Sequence, residues 1–255
     1  SEICKHLGKL NPISIQQVSG GSIHSSWKIV FEDKKYFVKK NIRNQKYLKF
    51  EKNCLEDLEK YIDKENLFIP QIIEYFDFPK SEILLMEWLD IRHGNQKKLG
   101  KGLAHLHLNS NSLKPDKFGY EIHGFIGTNK QLGGWREDWA DCFIQLRIDP
   151  QLMMLKSKSF NRDLIKNLKS KIKLLLSKHC PMNSLIHGDL WSGNKGCDLL
   201  ENGIIFDPAC WWADNEVDIA MTKLFGGFNN EFYEEYFKLI KPKYGLENRI
   251  TIYNF

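Results

Sequence analysis

Short segments rich in β-branched and aromatic residues dominate the first third of the chain. Polar and turn-forming residues separate them, as is typical of strands joined by hairpins. The segments are 13–19, 26–31, 36–41, 72–78 and 82–88. Between them, at about 45–62, apolar residues follow helical spacing instead. The pattern predicts an antiparallel sheet of five strands with one main helix.

From about residue 95 onward, the apolar residues recur every three or four positions, which predicts helices. The predicted helices span about 95–109, 135–156, 161–179, 216–226 and 230–240. A β-rich part followed by a helical part predicts an α+β fold with two lobes. We place the small lobe at 1–88 and the larger, helical lobe at 89–255, and we expect ligands to bind in the cleft between them.

The composition of the chain excludes several classes of function. The 255 residues carry a net charge of +5 without a block of cations or a nucleic-acid-binding motif. The apolar runs are much shorter than the roughly 20 residues of a membrane helix, and the first residues lack the apolar core of a signal peptide. Six scattered cysteines indicate free thiols in a reducing compartment. We therefore expect a cytoplasmic protein, with a monomer favoured, that binds neither nucleic acid nor membranes.

A lysine near the end of the third predicted strand and a glutamate in the following helix are predicted to pair. Glu51 lies within an apolar stripe of the helix, and a buried carboxylate needs a partner because its desolvation is costly. Lys39, on the adjacent strand, is the nearest cation in this topology. Kinases use such a pair to direct a lysine toward the α and β phosphates of ATP.

Paired glycines lie between the first two predicted strands. Gly20 and Gly21, followed by Ser22, would let backbone N–H groups face a phosphate. Taken alone, such a pair is more often a hairpin turn. We include these three residues in the predicted ATP-binding set.

The sequence MEWLD, at 86–90, marks the change from strand to helix pattern and predicts the linker between the lobes. Extended backbone here would offer the Glu87 carbonyl and the Leu89 N–H to an adenine edge, with Met86 behind. Trp88 lies between them and completes the predicted ATP-binding residues. The same sequence also suits the end of any buried strand.

The segment HGDLWSGN, at 187–194, places Asp189 and Asn194 five positions apart. Downstream, the hairpin signal Asn202-Gly203 predicts two short strands, and the second leads to Asp207. Kinase catalytic loops have this arrangement, in which the first Asp accepts the proton of the attacking hydroxyl and the Asn and the later Asp hold Mg²⁺. We assign these roles to the three residues. Exposed turn residues are the alternative for each of them alone.

The chain leaves little room for docking a protein strand. About nine residues separate Asp207 from the helix signal near Glu216, which is too few for a long activation loop. We expect a small hydroxyl acceptor, free or carried on a protein side chain. Trp191, Trp211 and Asp214 are the predicted substrate contacts, because aromatic faces and negative charge suit a sugar or a cationic amine. Core packing is the commoner role of tryptophan.

Together these motifs resemble those of the fructosamine kinase (ketosamine-3-kinase) family, relatives of the aminoglycoside and choline phosphotransferases within the protein-kinase-like fold. The segments that carry the resemblance are LLMEWLD at 84–90, GLAHLH at 102–107, FIGTNKQLGGWREDWADCFIQLR at 125–147, HGDLWSGN at 187–194 and FDPACWWADNEVDIAMTKLFGGF at 206–228. The resemblance implies ATP-dependent phosphorylation of the 3-hydroxyl of a ketosamine, a sugar joined to an amine by glycation. The phosphorylated adduct then decomposes and frees the amine.

Two features depart from the family pattern. Gly133 stands where Asn is common, and the chain stops at Phe255, where relatives continue, so we expect a truncated end. Two other functions compete with the one implied. The first is phosphorylation of another hydroxyl acceptor, such as an aminoglycoside or choline. The second is a nucleotide-binding pseudokinase that serves as an interaction module. It is disfavoured because the whole catalytic set is present, namely Lys39, Glu51, Asp189, Asn194 and Asp207.

Overall fold

The computed structural model describes residues 3, 7–8, 11–18, 24–42, 45–154 and 161–255. Gly20, Gly21 and Ser22 lie outside the described residues, so their predicted contact with phosphate stays a prediction. Every other predicted site residue is described.

The five predicted strands form one antiparallel sheet. It consists of β1 (Ser14–Gln17), β2 (Ser25–Val30), β3 (Lys35–Asn41), β5 (Ile72–Phe78) and β6 (Ser81–Glu87), in the order β1-β2-β3-β6-β5. The two-residue strand β4 (Leu67–Phe68) precedes β5 and joins another sheet. Because side chains alternate along a strand, Val38 packs in a small core against Leu85 while Phe37 and Lys39 face the cleft.

Helix α1 (Tyr47–Glu59) packs on this sheet through the predicted apolar stripe, in which Leu48, Leu55 and Leu58 are buried. The carboxylate of Glu82, on β6, accepts hydrogen bonds from the backbone N–H groups of Leu48 and Lys49, at 2.8 and 3.2 Å. These amides belong to the first turn of α1, where the helix has no acceptor of its own and favours negative charge. The bonds fix the start of the helix to the sheet.

The rest of the chain is mainly helical. Its helices are α2 (Lys97–Ser112), α3 (Trp139–Phe143), α4 (Asp149–Met154), α5 (Arg162–Ser177), α6 (Glu216–Leu224), α7 (Asn230–Leu239) and α8 (Leu246–Tyr253). A π-helical segment, Ile144–Ile148, joins α3 to α4. The prediction of one helix over 135–156 is wrong at its start, where residues 134–136 form a strand. Helix α8 was not predicted.

Short strands support the loops between these helices. They are β7 (Phe118–Tyr120), β8 (Gly124–Ile126), β9 (Asn129–Gln131), β10 (Gly134–Arg136), β11 (Asn183–Ile186), β12 (Lys195–Cys197), β13 (Gly203–Ile205) and β14 (Trp211–Asp214). They form three sheets, β10-β7-β14-β11, β12-β13-β4 and β8-β9. The middle sheet connects the lobes, because β4 pairs in parallel with β13.

Strands β12 and β13 are the two predicted around Asn202-Gly203, but these two residues do not form the turn between them. The loop instead spans 198–202, and Gly203 is the first residue of β13. Asp198 holds the loop by accepting hydrogen bonds from the backbone N–H groups of Leu200 and Asn202. The residue with left-handed backbone is Glu201, at φ 59°. The side-chain bonds of Asp198 thus replace the predicted tight turn.

The architecture is the predicted α+β arrangement of two lobes. A large core runs from α1 through the strands β11 and β14 to α7 and α8. The last strand of the N-terminal sheet ends at Glu87, and we propose the lobe boundary directly after it, at residue 88. Among the described helices, none combines the length and the apolar character that a membrane crossing requires.

Candidate active site

Two cavities lie side by side in the cleft between the lobes. The linker cavity, of about 380 Å³, lies against residues 86–89, and the loop cavity, of about 350 Å³, lies against residues 189–194. Both are lined by Ser26, Lys39, Asn194 and Asp207. These four residues therefore mark the boundary between the two spaces.

Lys39 lies at the centre of this boundary. Its Nζ donates to Glu51 Oε1 at 2.6 Å and to Asp207 Oδ1 at 2.5 Å. The predicted contact with Glu51 is therefore present, between β3 and the buried face of α1. Burial alone would lower the pKa of Lys39, but the carboxylates of Asp207 and Glu51 outweigh it and raise that pKa above its ordinary value. The lysine is a buried, permanently charged group.

Asp207 follows β13 in an unusual backbone conformation, with φ at 58°. The preceding residue is held to the opposite loop, since the Phe206 N–H donates to the Asn194 carbonyl at 3.1 Å. A non-glycine residue in the left-handed region is uncommon and occurs where surrounding contacts enforce it. In this conformation the Asp207 carboxylate accepts the hydrogen bond from Lys39. It lines both cavities and therefore lies between them.

Asp189 and Asn194 are joined across the loop that contains them. The Asn194 amide donates to the backbone carbonyl of Asp189 at 2.9 Å and to its Oδ2 at 3.1 Å. A 3₁₀ turn, Ser192–Asn194, closes the loop. Burial raises the pKa of Asp189 to about 7, against the bond from Asn194 and with the help of the nearby carboxylates of Asp207 and Asp218. A carboxylate with such a pKa suits a general base near neutral pH.

Asp218, on α6, fixes the backbone at the start of the loop that contains Asp189. Its buried carboxylate accepts hydrogen bonds from the backbone N–H groups of His187 and Gly188, at 2.8 and 2.9 Å, and lies 3.2 Å from His107 Nε2. Burial would raise the pKa of Asp218, but the bond and charge of His107, with the backbone donors, keep it below its ordinary value. Sequence reasoning missed this positioning role. In the sequence, the sign of this role is a carboxylate within the apolar face of a predicted helix.

Gly188 fits this arrangement for two reasons. Its φ is +80°, which favours glycine, and a Cβ here would collide with the carbonyl oxygen of Ala209. The Ala209 N–H in turn donates to the His187 carbonyl at 2.8 Å. The loop with Asp189 and the segment after Asp207 are thus packed backbone to backbone, which fixes the distance between the two carboxylates.

The linker cavity has the predicted residues on its wall. Met86, Glu87, Trp88 and Leu89 all line it, and Met86 is buried at its back. The Trp88 N–H donates to the Lys35 carbonyl at 3.3 Å. Within the described part of the chain, no hydrogen bond involves the Leu89 N–H. That amide remains able to donate to a ligand, as the prediction requires.

The three predicted substrate residues are not brought together. Trp191 lines the loop cavity, whereas Trp211 and Asp214 lie in the core and line neither cavity. The Arg147 guanidinium stacks on the ring of Trp211 at 3.8 Å, and Asp214 Oδ2 accepts from Tyr253 at 2.7 Å. The fold uses these two side chains for internal packing and bonding. Their substrate contact stays a prediction and is not part of the site proposed below.

The wall of the loop cavity opposite Asp189 was not foreseen. Tyr47 and Phe50 of α1, with Phe125 of β8, form it. The ring centroids of Tyr47 and Phe125 lie 4.3 Å apart. Phe125 belongs to the segment FIGT, which resembles the family but carries no pattern that predicts a contact, and its position depends on contacts between distant parts of the chain. No local pattern could have placed it here.

Gly133, which stands where the family commonly has Asn, lies between β9 and β10. Its N–H donates to His123 Nδ1 at 2.9 Å, and a Cβ at this position would collide with the carbonyl oxygen of Ile122. An asparagine here would require the backbone to move. The departure therefore has a steric basis in this chain, and Gly133 lines neither cavity.

The amino-acid sequence is similar to those of known ketosamine kinases. The chain is 34% identical over 249 residues to a probable ketoamine kinase of Synechocystis sp., which covers 95% of this chain and 83% of the relative. It is 30% identical over 263 residues to the ketosamine-3-kinase of Mus musculus, with 92% and 84% covered.

Solved structures agree with the relatives. A putative fructosamine-3-kinase from Haemophilus somnus superposes with a TM-score of 0.85 at 28% identity, covering 98% of this chain and 84% of the other. The aminoglycoside phosphotransferase APH(4)-Ia superposes with a TM-score of 0.66 at 12% identity, covering 99% and 86%, which indicates the shared protein-kinase-like fold alone. The model of the family described as fructosamine kinase matches residues 2–255, and the chain belongs to that family.

Proposed function

We propose that this protein transfers the terminal phosphoryl group of ATP to the 3-hydroxyl of ketosamines, in the cleft between its lobes. The observation that carries the proposal is the meeting of Lys39, Asp189, Asn194 and Asp207 where the two cavities join. Membership of the fructosamine kinase family and the names of its relatives support the choice of acceptor.

The linker cavity is the proposed site of the nucleotide. The free N–H of Leu89 and the extended backbone beside it suit an adenine edge, and Met86 with Phe37 supplies apolar surface. The phosphates would then extend toward Lys39, whose ammonium Glu51 holds in place. A lysine in this position stabilises the charge on the α and β phosphates.

The residues at the boundary fit a magnesium ion, which we propose as a cofactor. Mg²⁺ takes oxygen ligands, and Asn194 and Asp207 each have an oxygen to offer. The Asn194 amide nitrogen is engaged with Asp189, which leaves its oxygen for a ligand, and Lys39 bonds only Oδ1 of Asp207. When bound, the ion would neutralise charge on the phosphates.

The loop cavity is the proposed site of the acceptor. There the 3-hydroxyl oxygen attacks the terminal phosphorus, the bond from that phosphorus to the bridging oxygen of ADP breaks, and the hydroxyl proton passes to Asp189. The raised pKa of Asp189, about 7, matches this task. Tyr47, Phe125 and Trp191 surround the acceptor with aromatic faces, which suit a sugar and a cationic amine.

The proposal also covers the cellular location of the protein, its oligomeric state and its partners. We propose a cytoplasmic enzyme, with a monomer favoured, that acts on small-molecule or protein-linked ketosamines and binds neither nucleic acid nor membranes. The free thiols of the described cysteines, which are Cys54, Cys142, Cys180, Cys197 and Cys210, are in keeping with a reducing compartment.

A direct assay tests the reaction. Purified protein with ATP and Mg²⁺ is offered a synthetic fructosamine, a ribulosamine, an aminoglycoside and choline, and ADP release is followed together with the phosphorylated product. We expect turnover of the ketosamines alone, with phosphate on the 3-hydroxyl. Transfer to the aminoglycoside or choline instead would overturn the proposed acceptor, and ATP binding without any transfer would favour the pseudokinase hypothesis.

A further inference from the structure

Another cavity, of about 310 Å³, lies between helix α1 and the sheet β10-β7-β14-β11. It shares no lining residue with the linker cavity or the loop cavity, and the proposed reaction uses none of its side chains. We call it the tryptophan cavity. The residues that line it are Asn53, Glu56, Asp57, Lys60, Tyr120, Glu121, Ile122, Trp135 and Trp212.

Two tryptophans flank a glycine on one face of this sheet. Trp135 lies opposite Gly119 in the pairing of β10 with β7, and Trp212 lies opposite the same Gly119 in the pairing of β14 with β7. Residues directly opposite each other in a sheet project to the same face. Because the glycine between them has no side chain, space remains between the two indole rings.

Gly119 keeps this space open because no larger residue fits at its position. Its φ is +127°, and a Cβ would lie 1.9 Å from the Gly134 carbonyl oxygen. Neighbouring strands lie about 4.8 Å apart, so the backbones of Trp135 and Trp212 are roughly 10 Å apart. Side chains stand roughly perpendicular to a sheet, and the thickness of the rings then leaves a slot of about 6 Å.

The slot is aromatic on both sides and open to solvent. Trp135 is 37% exposed although it lines a cavity. Trp212 is half-buried, and its ring packs edge to face on that of Tyr61 at 5.9 Å, which fixes this wall. The faces of indole rings attract cations. The slot therefore has the shape and the chemistry of a cation site.

Carboxylates surround the slot, but most of them are engaged within the protein. Asp57 Oδ2 accepts from the Tyr120 hydroxyl at 2.5 Å, and Asp57 Oδ1 accepts from Lys60 at 2.6 Å. Glu56 accepts from a lysine one helical turn earlier, also at 2.6 Å. In the part of the chain that the structure describes, Glu121 is the lining carboxylate with no such partner, and it is exposed.

We propose that the slot between Trp135 and Trp212 binds a methylated ammonium group, either free or at the end of a protein lysine side chain. A primary ammonium has three N–H donors to satisfy, and Glu121 alone has no partner within the protein. A methylated ammonium needs aromatic faces and negative potential instead. Three lining carboxylates against the single cation of Lys60 supply that potential. The inference does not depend on which acceptor the kinase uses.

Titration with tetramethylammonium chloride, followed by the NMR signals of the indole N–H groups, tests the site. The signals of Trp135 and Trp212 are assigned by their absence from Trp135→Leu and Trp212→Leu. We expect tetramethylammonium to shift these two signals saturably. Ammonium chloride at the same ionic strength should bind at least about tenfold more weakly, and tert-butanol, which lacks the charge, should not bind.

Variants separate the aromatic and the electrostatic contributions. Trp135→Leu should weaken the affinity for tetramethylammonium about tenfold, and Trp135→Phe less, since it keeps an aromatic face. Glu121→Gln should weaken it about threefold, and Lys60→Gln should strengthen it, because a competing cation is removed. Tyr244→Leu is the matched control, since Tyr244 is a fully exposed aromatic residue that lines none of the three cavities.

Urea unfolding of each variant verifies that the fold is retained, and Glu121→Gln tests the site even if a tryptophan variant does not fold. Equal affinities of the wild type, Trp135→Phe and Glu121→Gln would overturn the inference. Equal binding of tert-butanol would also overturn it, as would shifts confined to Trp191 in the loop cavity. A trimethyl-lysine peptide that binds more tightly than tetramethylammonium would identify a protein side chain as the source of the cation, and equal affinities would identify a free amine. Failure to phosphorylate ketosamines would overturn the proposed function and leave this site unaffected.

Discussion

Lys39 and Asp207, 168 positions apart in the chain, are joined by a hydrogen bond of 2.5 Å between Nζ and Oδ1. Lys39 lies on the N-terminal sheet and Asp207 follows β13 in the helical lobe, so the bond crosses the cleft. The same ammonium holds Glu51 on α1. One buried cation therefore connects the sheet, the helix and the second lobe, and its loss should affect both stability and catalysis.

Replacing this cation tests its two roles together. Lys39→Met should lower kcat at least about 100-fold, because the phosphates lose their fixed positive partner. It should also destabilise the fold by about 3 kcal/mol, because Glu51 is left buried without a partner. Adding Glu51→Gln to Lys39→Met should recover part of the stability without recovering the rate. Activity assays and urea unfolding measure these effects.

The matched control for this change is Lys46→Met. Lys46 also pairs across elements, with Asp77, but both side chains are about half exposed. An exposed pair contributes at most about 1 kcal/mol, so this variant should retain both rate and stability. Additive losses from Lys39→Met and Glu51→Gln would show that the two side chains act independently.

Asp189 is tested by removing its basicity at constant shape. Asp189→Asn should lower kcat at least about 100-fold and leave the affinity for ATP largely unchanged, since the proposed base acts on the acceptor. Initial rates and calorimetric titration with ATP separate the two effects. The exposed Asp116→Asn serves as the control and should behave as wild type. Near-normal turnover by Asp189→Asn would remove this residue from the mechanism.

Asp218 should matter although it lines neither cavity. In Asp218→Asn, one acceptor oxygen cannot replace the carboxylate that holds His187 and Gly188, so we expect a loss of about 2–4 kcal/mol in stability. The rate should fall through kcat, because the loop that carries Asp189 loses its support.

Asp163→Asn is the control for Asp218, since Asp163 also lies in the first turn of a helix but is exposed. Its loss should cost about 0.5 kcal/mol or less. A wild-type kcat in Asp218→Asn would contradict the positioning role, whatever the change in stability.

The parts of the site that could be predicted are those encoded within short stretches. Glu51 in its apolar stripe required a cation, and Lys39 on the neighbouring strand supplies it. The five-residue spacing from Asp189 to Asn194 closes a loop by itself, through bonds between the two residues. Such local constraints act in the same way wherever the segment lies in the fold.

The parts of the fold and of the site that the sequence pattern did not predict depend on contacts between residues distant in the chain. Strand β10 exists because it pairs with β7, from Gly134 to Tyr120, and the helical spacing over 135–156 contains no trace of that pairing. Trp211 follows the site closely in sequence but turns into the core, where Arg147 covers it. Phe125 reaches the cavity only because β8 packs against α1. Each position is decided by packing rather than by neighbours in the chain.

His187 makes stability depend on pH in a window that can be measured. Its ring is buried, with Nε2 3.0 Å from the Phe206 carbonyl, and burial lowers the pKa of His187 below the ordinary 6.5. As pH falls through about 6.5, the unfolded chain gains a proton at this residue while the folded protein does not. This group therefore lowers the free energy of unfolding on acidification, by up to about 1.4 kcal/mol per pH unit, whereas Asp189, whose pKa is raised in the folded protein, contributes with the opposite sign in the same range.

Urea unfolding between pH 7.5 and 5.5 measures this slope in the wild type, His187→Gln and His93→Gln. His187→Gln lowers stability because it disturbs a buried site, so the informative quantity is the slope of the free energy of unfolding against pH, which should be smaller than the wild-type slope by the contribution of His187. His93 is exposed and lies outside this buried site, and His93→Gln should keep the wild-type slope. An equal slope in all three proteins would mean that His187 takes up its proton as readily in the folded state as in the unfolded chain, and that burial does not keep the ring neutral.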